Sequence, residues 1–220
     1  MKLLSFLGTG TYSRVTYKWD DQEYATDLFP EALTAWKKPT EILVMLTTEA
    51  KQHPNWINLQ ARLMDKVPLT PVDIPSGKSE AELWHIFEKL TGCLDEGDEV
   101  VFDVTHAFRS LPILALLAAA YLRVAKGIHL QSILYGAFEA KDNNYAPVFD
   151  LTPFLALLDW VTATDKFVKA GDARELAGLL KAAHRLPWQS MSSRVGNDLP
   201  RRLQDLGTTL ANLSQALLLS

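Results

Sequence analysis

Apolar and polar positions change period several times along the chain, and each change predicts an element. Lys2 to Leu7 and Glu41 to Leu46 are continuous apolar runs, which predict buried strands. Arg14 to Trp19 alternates and predicts a half-exposed strand. Asn55 to Val67 places Trp56, Leu59, Leu63 and Met64 at helical spacing. Leu69 to Ile74 reads as a short strand between prolines. Ser79 to Leu94 reads as a helix opened by a capping box, Ser79 with Glu82 three residues on. Glu99 to Phe102 predicts the next strand and Leu111 to Lys126 a buried apolar helix, with Pro112 tolerated in its first turn. His129 to Tyr135 predicts another strand. Ala137 to Phe149 predicts a hairpin turning at Asn143 and Asn144.

Strands alternating with helices predict an α/β domain with a mostly parallel sheet over about residues 1–150. From Leu151 the pattern becomes all-helical, over Leu151 to Phe167, Asp172 to Ala183 and Leu199 to Leu218. Residues 151–220 therefore form a small helical region, with LPWQSMSSRVGND as its linker. The last helix runs into LANLSQALLLS without a glycine or proline stop. Two readings fit: a frayed terminus, or the front part of a longer natural chain.

Composition narrows the function classes. A chain of 220 residues, 48% hydrophobic and 22% charged, reads as a globular protein with an ordinary core. A formal net charge of -4 argues against a general nucleic-acid coat and leaves room for a small basic pocket. The single cysteine, Cys93, excludes an internal disulfide and a thiolate-rich metal site, which fits a reducing cytoplasm. The N-terminus is too short for a secretory signal, and Leu111 to Val124 is too short to span a membrane.

In an open parallel sheet, ligands bind beyond the carboxyl ends of the strands. Five loops leave that edge here. They are Gly8-Thr9-Gly10-Thr11-Tyr12, Thr47-Thr48, Pro75 to Ser79 with Lys78, Asp103 to Ser110, and Tyr135-Gly136. Glycines admit close approach of backbone, and hydroxyls with exposed N–H groups suit anionic oxygens. Lys78, His106 and Arg109 supply possible positive charge. Tyr12, Phe108 and Tyr135 supply possible stacking surfaces. The combination predicts a phosphate-bearing nucleotide ligand. Asp103 can equally cap the following helix or bond loop N–H groups, and His106 can be a packed loop residue.

Other motifs fail. GTGTYS lacks the third glycine of G-x-G-x-x-G, and the segment after it alternates like a strand. SGKS lacks the first glycine of a P-loop, where Val72 stands. No ligand pair accompanies Asp103 and His106, so no metal and no cofactor are expected. Arg123 and His129 match an R-x5-H spacing only by chance.

Five blocks, in order, carry a resemblance: LGTGTY, GKSEAELWHIFE at 77–88, DVTHAFRSLP at 103–112, YGAFEA at 135–140 and APVFDLTPFLALLDW at 146–160. They resemble the CRISPR-associated DxTHG-motif family, the CARF (CRISPR-associated Rossmann fold) proteins of type III systems. The resemblance covers about residues 1–180. Ala107 stands where the family motif has glycine. It implies a homodimer that binds a cyclic oligoadenylate, most simply the tetramer, across its two-fold axis. Carried over by position, the ligand-binding candidates are Gly8, Thr9, Gly10, Thr11, Tyr12, Lys78, Asp103, Thr105, His106, Arg109 and Ser110, with Gly136 in the fifth loop. Many relatives continue into a C-terminal HEPN ribonuclease domain, and no convincing R-x4–6-H follows residue 150 here. The resemblance also implies an enzymatic alternative, a metal-independent ring nuclease. There Thr9 or Thr11 would orient a ribose 2′-hydroxyl, and Lys78 or His106 would stabilise the phosphorane or exchange protons. An NAD- or mononucleotide-binding metabolic enzyme is the competing class. A DNA-binding tail rests on Arg201 and Arg202 alone, so direct DNA binding is not expected.

Overall fold

The computed structural model describes residues 1–108, 110–185 and 205–212. In chain order the first unit holds β1 (Lys2–Phe6), β2 (Val15–Trp19), β3 (Gln22–Thr26), α1 (Phe29–Lys37), β4 (Glu41–Leu46), α2 (Thr48–Lys51), α3 (Pro54–Leu63), β5 (Leu69–Asp73), α4 (Glu80–Gly92), β6 (Glu99–Asp103), α5 (Leu111–Ala125), β7 (His129–Gly136) and β8 (Tyr145–Asp150). The eight strands form one sheet in the order β3-β2-β8-β7-β6-β1-β4-β5. Every pair from β5 to β7 is parallel, β7–β8 and β2–β3 are antiparallel, and β2 runs parallel to β8. The fold is therefore α/β with a mostly parallel, Rossmann-like sheet. Its central strands are buried along their length because helices cover both faces: Leu3, Leu4, Ile42, Val44, Leu46, Val100, Val101 and Phe102 have no exposed surface.

Three elements, β3, α1 and the short α2, and one pairing differ from the pattern-based expectation. The β2–β3 hairpin turns through Asp20 and Asp21, with Trp19 opposite Gln22 and Asp20 at φ 51°. It carries no glycine signal. The helix α1 follows with Pro30 in its first turn and buries Phe29, Ala32 and Leu33. Near the chain's other hairpin signal, Asn143 and Asn144 do adopt left-handed φ of 47° and 67°. The segment before them is a short 3-10 turn, Phe138–Ala140, with one bridge from Asp142 to Tyr145. The antiparallel partner of β8 is β7, with Gly136 opposite Val148.

Helix ends follow local chemistry. Ser79 Oγ accepts from Glu82 N, while the Glu82 carboxylate accepts from Lys78 N, one residue upstream of the expected box partner. In α3, Trp56, Leu59 and Leu63 are buried as expected, but Met64 lies beyond the last turn and is 71% exposed. The α5 helix is buried on one side only. Leu111, Ala115, Ala118, Ala119 and Leu122 face the sheet, while Ile113, Leu117, Tyr121 and Val124 form an exposed apolar stripe.

Gly136 sits inside the core. A Cβ there would stand 2.6 Å from Tyr17 Cε1 and 3.1 Å from Phe29 Cδ2, and both rings are buried. Gly136→Ala is expected to lose about 2 kcal/mol through overpacking, measured by chemical denaturation.

The chain divides into two compact units, Met1–Thr152 and Pro153–Ser220. The second contains α7 (Arg174–Arg185) and most of α6 (Thr152–Ala170). Ala177 and Leu180 are buried, and Gly207 packs close to the Leu180 side chain. The proposed linker at 186–198, Arg201 and Arg202, and all but residues 205–212 of the last predicted helix lie outside the described residues. Among the described residues, no helix is long and apolar enough to cross a membrane.

Candidate functional site

The five parallel strands lie in the order β5-β4-β1-β6-β7. Crossovers therefore leave β1 and β6 in opposite directions, which opens a crevice at their carboxyl ends. A cleft of about 640 Å³ occupies that position. All five strand-end loops reach it: residues 8–13 after β1, Thr47 and Glu49 after β4, Ser76 and Lys78 after β5, Thr105 to Phe108 after β6, and Gly136 with Phe138 and Glu139 after β7.

The first loop is folded around Tyr12. Its hydroxyl accepts from Gly8 N at 3.1 Å, and its ring stacks on His106 with centroids 4.0 Å apart. A Cβ on Gly10 would stand 3.1 Å from the Tyr12 ring, so the ring can lie over the loop because that residue is glycine. From behind, Asn55 Nδ2 donates to the carbonyls of Gly8 and Gly10 at 2.9 and 2.8 Å. Thr9, Gly10 and Thr11 remain exposed in the cleft wall. Asn55 carried no sequence signal, because its partners are 45 and 47 residues away.

The loop after β6 is organised inward. Asp103 is wholly buried and does not line the cleft. It accepts from Ser5 Oγ at 2.6 Å across the β1–β6 pair and from Thr105 N at 2.9 Å. Its expected ligand contact is thus replaced by the loop-bonding alternative. Burial pushes its carboxyl up to about 6, against those two donors. Thr105 does line the cleft, but its Oγ1 already accepts from Gly136 N at 2.8 Å, tying the β6 loop to the end of β7. Ala107 has no left-handed φ, so alanine in place of the motif glycine brings no backbone strain.

His106 is not the cation expected of it. Nε2 accepts from Phe29 N at 3.2 Å, at the N-terminus of α1. Burial pushes the imidazole down to about 4, so the ring is neutral near pH 7 and its proton sits on Nδ1. Its companions differ as well. Lys78 lines the cleft and is exposed. Glu49 and Glu139 also line it, and Tyr135 donates its hydroxyl to Glu139 at 2.6 Å rather than offering a ring to the cleft. Among the described residues, Lys78 is the one cation of the cleft wall. Ser110 stands at the N-cap of α5 with no side-chain cap bond and outside the cleft wall. Arg109 lies outside the described residues. Among them, no three His, Cys, Asp or Glu side chains are grouped to hold a metal.

The chain is similar to a CRISPR-associated protein. That protein, from Methanocaldococcus jannaschii, is 30% identical over 112 residues, which are 49% of this chain and 18% of the relative. The chain thus covers less than a fifth of the relative's length. No family model matches the chain.

Proposed function

We propose that the cleft binds a cyclic oligoadenylate and that the chain is a sensor in type III CRISPR signalling. The observation that carries the reading is the convergence of all five strand-end loops on one cleft at the β1–β6 switch point, with Thr9, Gly10, Thr11 and Lys78 exposed in its wall. Exposed hydroxyls, a glycine-rich backbone and a flexible cation suit phosphate and ribose oxygens. Likeness to a CRISPR-associated protein supports a CRISPR-related role, and the motif blocks support the ligand class.

The dinucleotide alternative fares worse on geometry. That mode needs a helix starting directly after the first strand, with its N-terminus free for a pyrophosphate. Here residues 7–28, including a hairpin, intervene between β1 and α1, and Phe29 N–H is already taken by His106. With His106 Nε2 engaged by Phe29 N, Thr9, Thr11 and Lys78 remain as the named groups for cleaving a bound ring. Our reading is of binding, and it expects the ring to be intact after an hour with the protein and EDTA.

Self-association belongs to this reading. Phe108 and Leu111 line the cleft, and the exposed stripe Ile113, Leu117, Tyr121 and Val124 continues along α5 from there. Trp84, exposed on α4, and the edge contact of Phe87 with Tyr121 extend the same surface. A second copy docked on this stripe would set two clefts side by side, so that one ring could span them.

Lys78 gives a direct test. Lys78→Ala is expected to weaken cyclic tetra-adenylate binding about tenfold at low salt, with the difference shrinking at high salt because the side chain is exposed. Calorimetric titration of both proteins at two ionic strengths checks this. Equal affinities at low salt would remove Lys78 from the site.

A further inference from the structure

Asn55 makes an arrangement that lies outside the motif blocks. It stands in the first turn of α3, where its own N–H donates to His53 Nδ1 at 3.3 Å. Its single Nδ2 group donates to two carbonyls of the first loop, Gly8 O and Gly10 O. No peptide bond of the described chain is cis. In a trans peptide the C=O and the N–H of one unit point in opposite directions. Gly8 O shares its unit with Thr9 N–H, and Gly10 O shares its unit with Thr11 N–H. Holding both carbonyls toward Asn55 therefore aims both threonine N–H groups away from it. Thr9 and Thr11 line the cleft and Asn55 does not, so the loop separates Asn55 from the ligand space.

We propose that Asn55 is a positioning residue that fixes two alternate peptide units, so that the N–H groups of Thr9 and Thr11 form a paired donor site for ligand phosphate oxygens. The inference rests on the cyclic oligoadenylate reading for its full ligand, while the phosphate chemistry stands by itself. Neighbouring backbone N–H groups turned to the same side make an anion site without any side-chain charge. This suits a cleft wall whose described side chains include one cation and two carboxylates. It also explains the residue type. Asparagine has two hydrogens on one nitrogen, one for each carbonyl. An aspartate of the same shape has none and would repel both oxygens, releasing the two peptide units to turn.

Three proteins test it: wild type, Asn55→Asp and Asn55→Ala, each labelled with 15N-threonine. Cyclic tetra-adenylate, cyclic hexa-adenylate and inorganic phosphate are titrated separately. In wild type, the amide protons of Thr9 and Thr11 are expected to move downfield on binding while threonine amides away from the cleft, such as those of Thr26, Thr70 and Thr91, stay in place. In Asn55→Asp that response is expected to disappear and ring affinity to fall at least tenfold, with Asn55→Ala between the two. Thermal unfolding of all three proteins should stay nearly unchanged, which separates a turned loop from a damaged core. Ring binding with unshifted Thr9 and Thr11 amides would overturn the proposal. So would an Asn55→Asp protein that binds the ring as tightly as wild type, or wild-type threonine amides that respond to none of the three probes. If no ring binds, but phosphate moves the two amides in wild type and not in Asn55→Asp, the clamp stands and the ligand reading falls.

Discussion

Asp103→Asn is expected to gain stability relative to wild type as pH rises from about 4 to 7, by roughly 3 kcal/mol in total. The cause is burial of the carboxyl, which lifts it from the ordinary 3.8 to about 6 despite bonds from Ser5 Oγ and Thr105 N. Between those two values the native state holds a proton that the unfolded chain has released. Stability from this group is therefore fully present below the unfolded value and is lost as pH rises through the folded one. Asparagine has no such loss, and it retains one acceptor for Thr105 N and donors for Ser5 Oγ. Urea unfolding of both proteins at several pH values measures the difference. Parallel stability curves would show that Asp103 does not titrate as its burial demands.

His106→Ala is expected to cost about 3 kcal/mol and to weaken ring binding at least tenfold. Two supports are lost together. The N-terminus of α1 has no side-chain cap of its own, since its N-cap is Leu28, and the acceptor for Phe29 N comes from His106. Tyr12 also loses the ring on which it stacks, and with it the shape of the first loop. His106→Gln keeps an acceptor for Phe29 N–H, so it should recover part of the stability and less of the binding. Titration gives a second signature. His106 is depressed from 6.5 to about 4, so its contribution is present above the unfolded value and lost as pH falls toward the folded one, opposite in sign to Asp103. Ring affinity should accordingly stay flat across pH 6 to 8 as far as His106 is concerned. A loss of affinity following a group near pH 6.5, and persisting in Asp103→Asn, would contradict a neutral, structurally engaged imidazole.

These two residues also show what was legible in the sequence. The central parallel strands were readable because a strand covered on both faces needs a continuous apolar run, as in Ile42 to Leu46 and Val100 to Phe102. The loops at their ends followed from chain order alone. The β2–β3 hairpin was not readable, because Asp20-Asp21 lacks the glycine that marks such turns. Nor was α1, whose cap is supplied by a histidine 77 residues away. The same limit applies to the site. A polar cluster after an apolar strand suggests ligand contact, yet Asp103 is the last residue of β6, a strand buried on both faces, and lies on the same face as Val101. Thr105 and His106 likewise spend their acceptors on Gly136 and Phe29. The motif builds the loop, and the threonines of the neighbouring loop are the ones left exposed in the cleft wall. Asn55, which bonds two carbonyls of that loop, is visible only when strand end and helix start are brought together.

The central claim is that this cleft holds a cyclic oligoadenylate. Calorimetric titration of the purified chain with cyclic tetra-adenylate, and then with cyclic hexa-adenylate, tests it most directly. The account predicts saturable binding of one of them, at one ring for every two chains, with the ring recovered intact. No binding of either ring at millimolar concentration, by a protein that unfolds cooperatively, would contradict it.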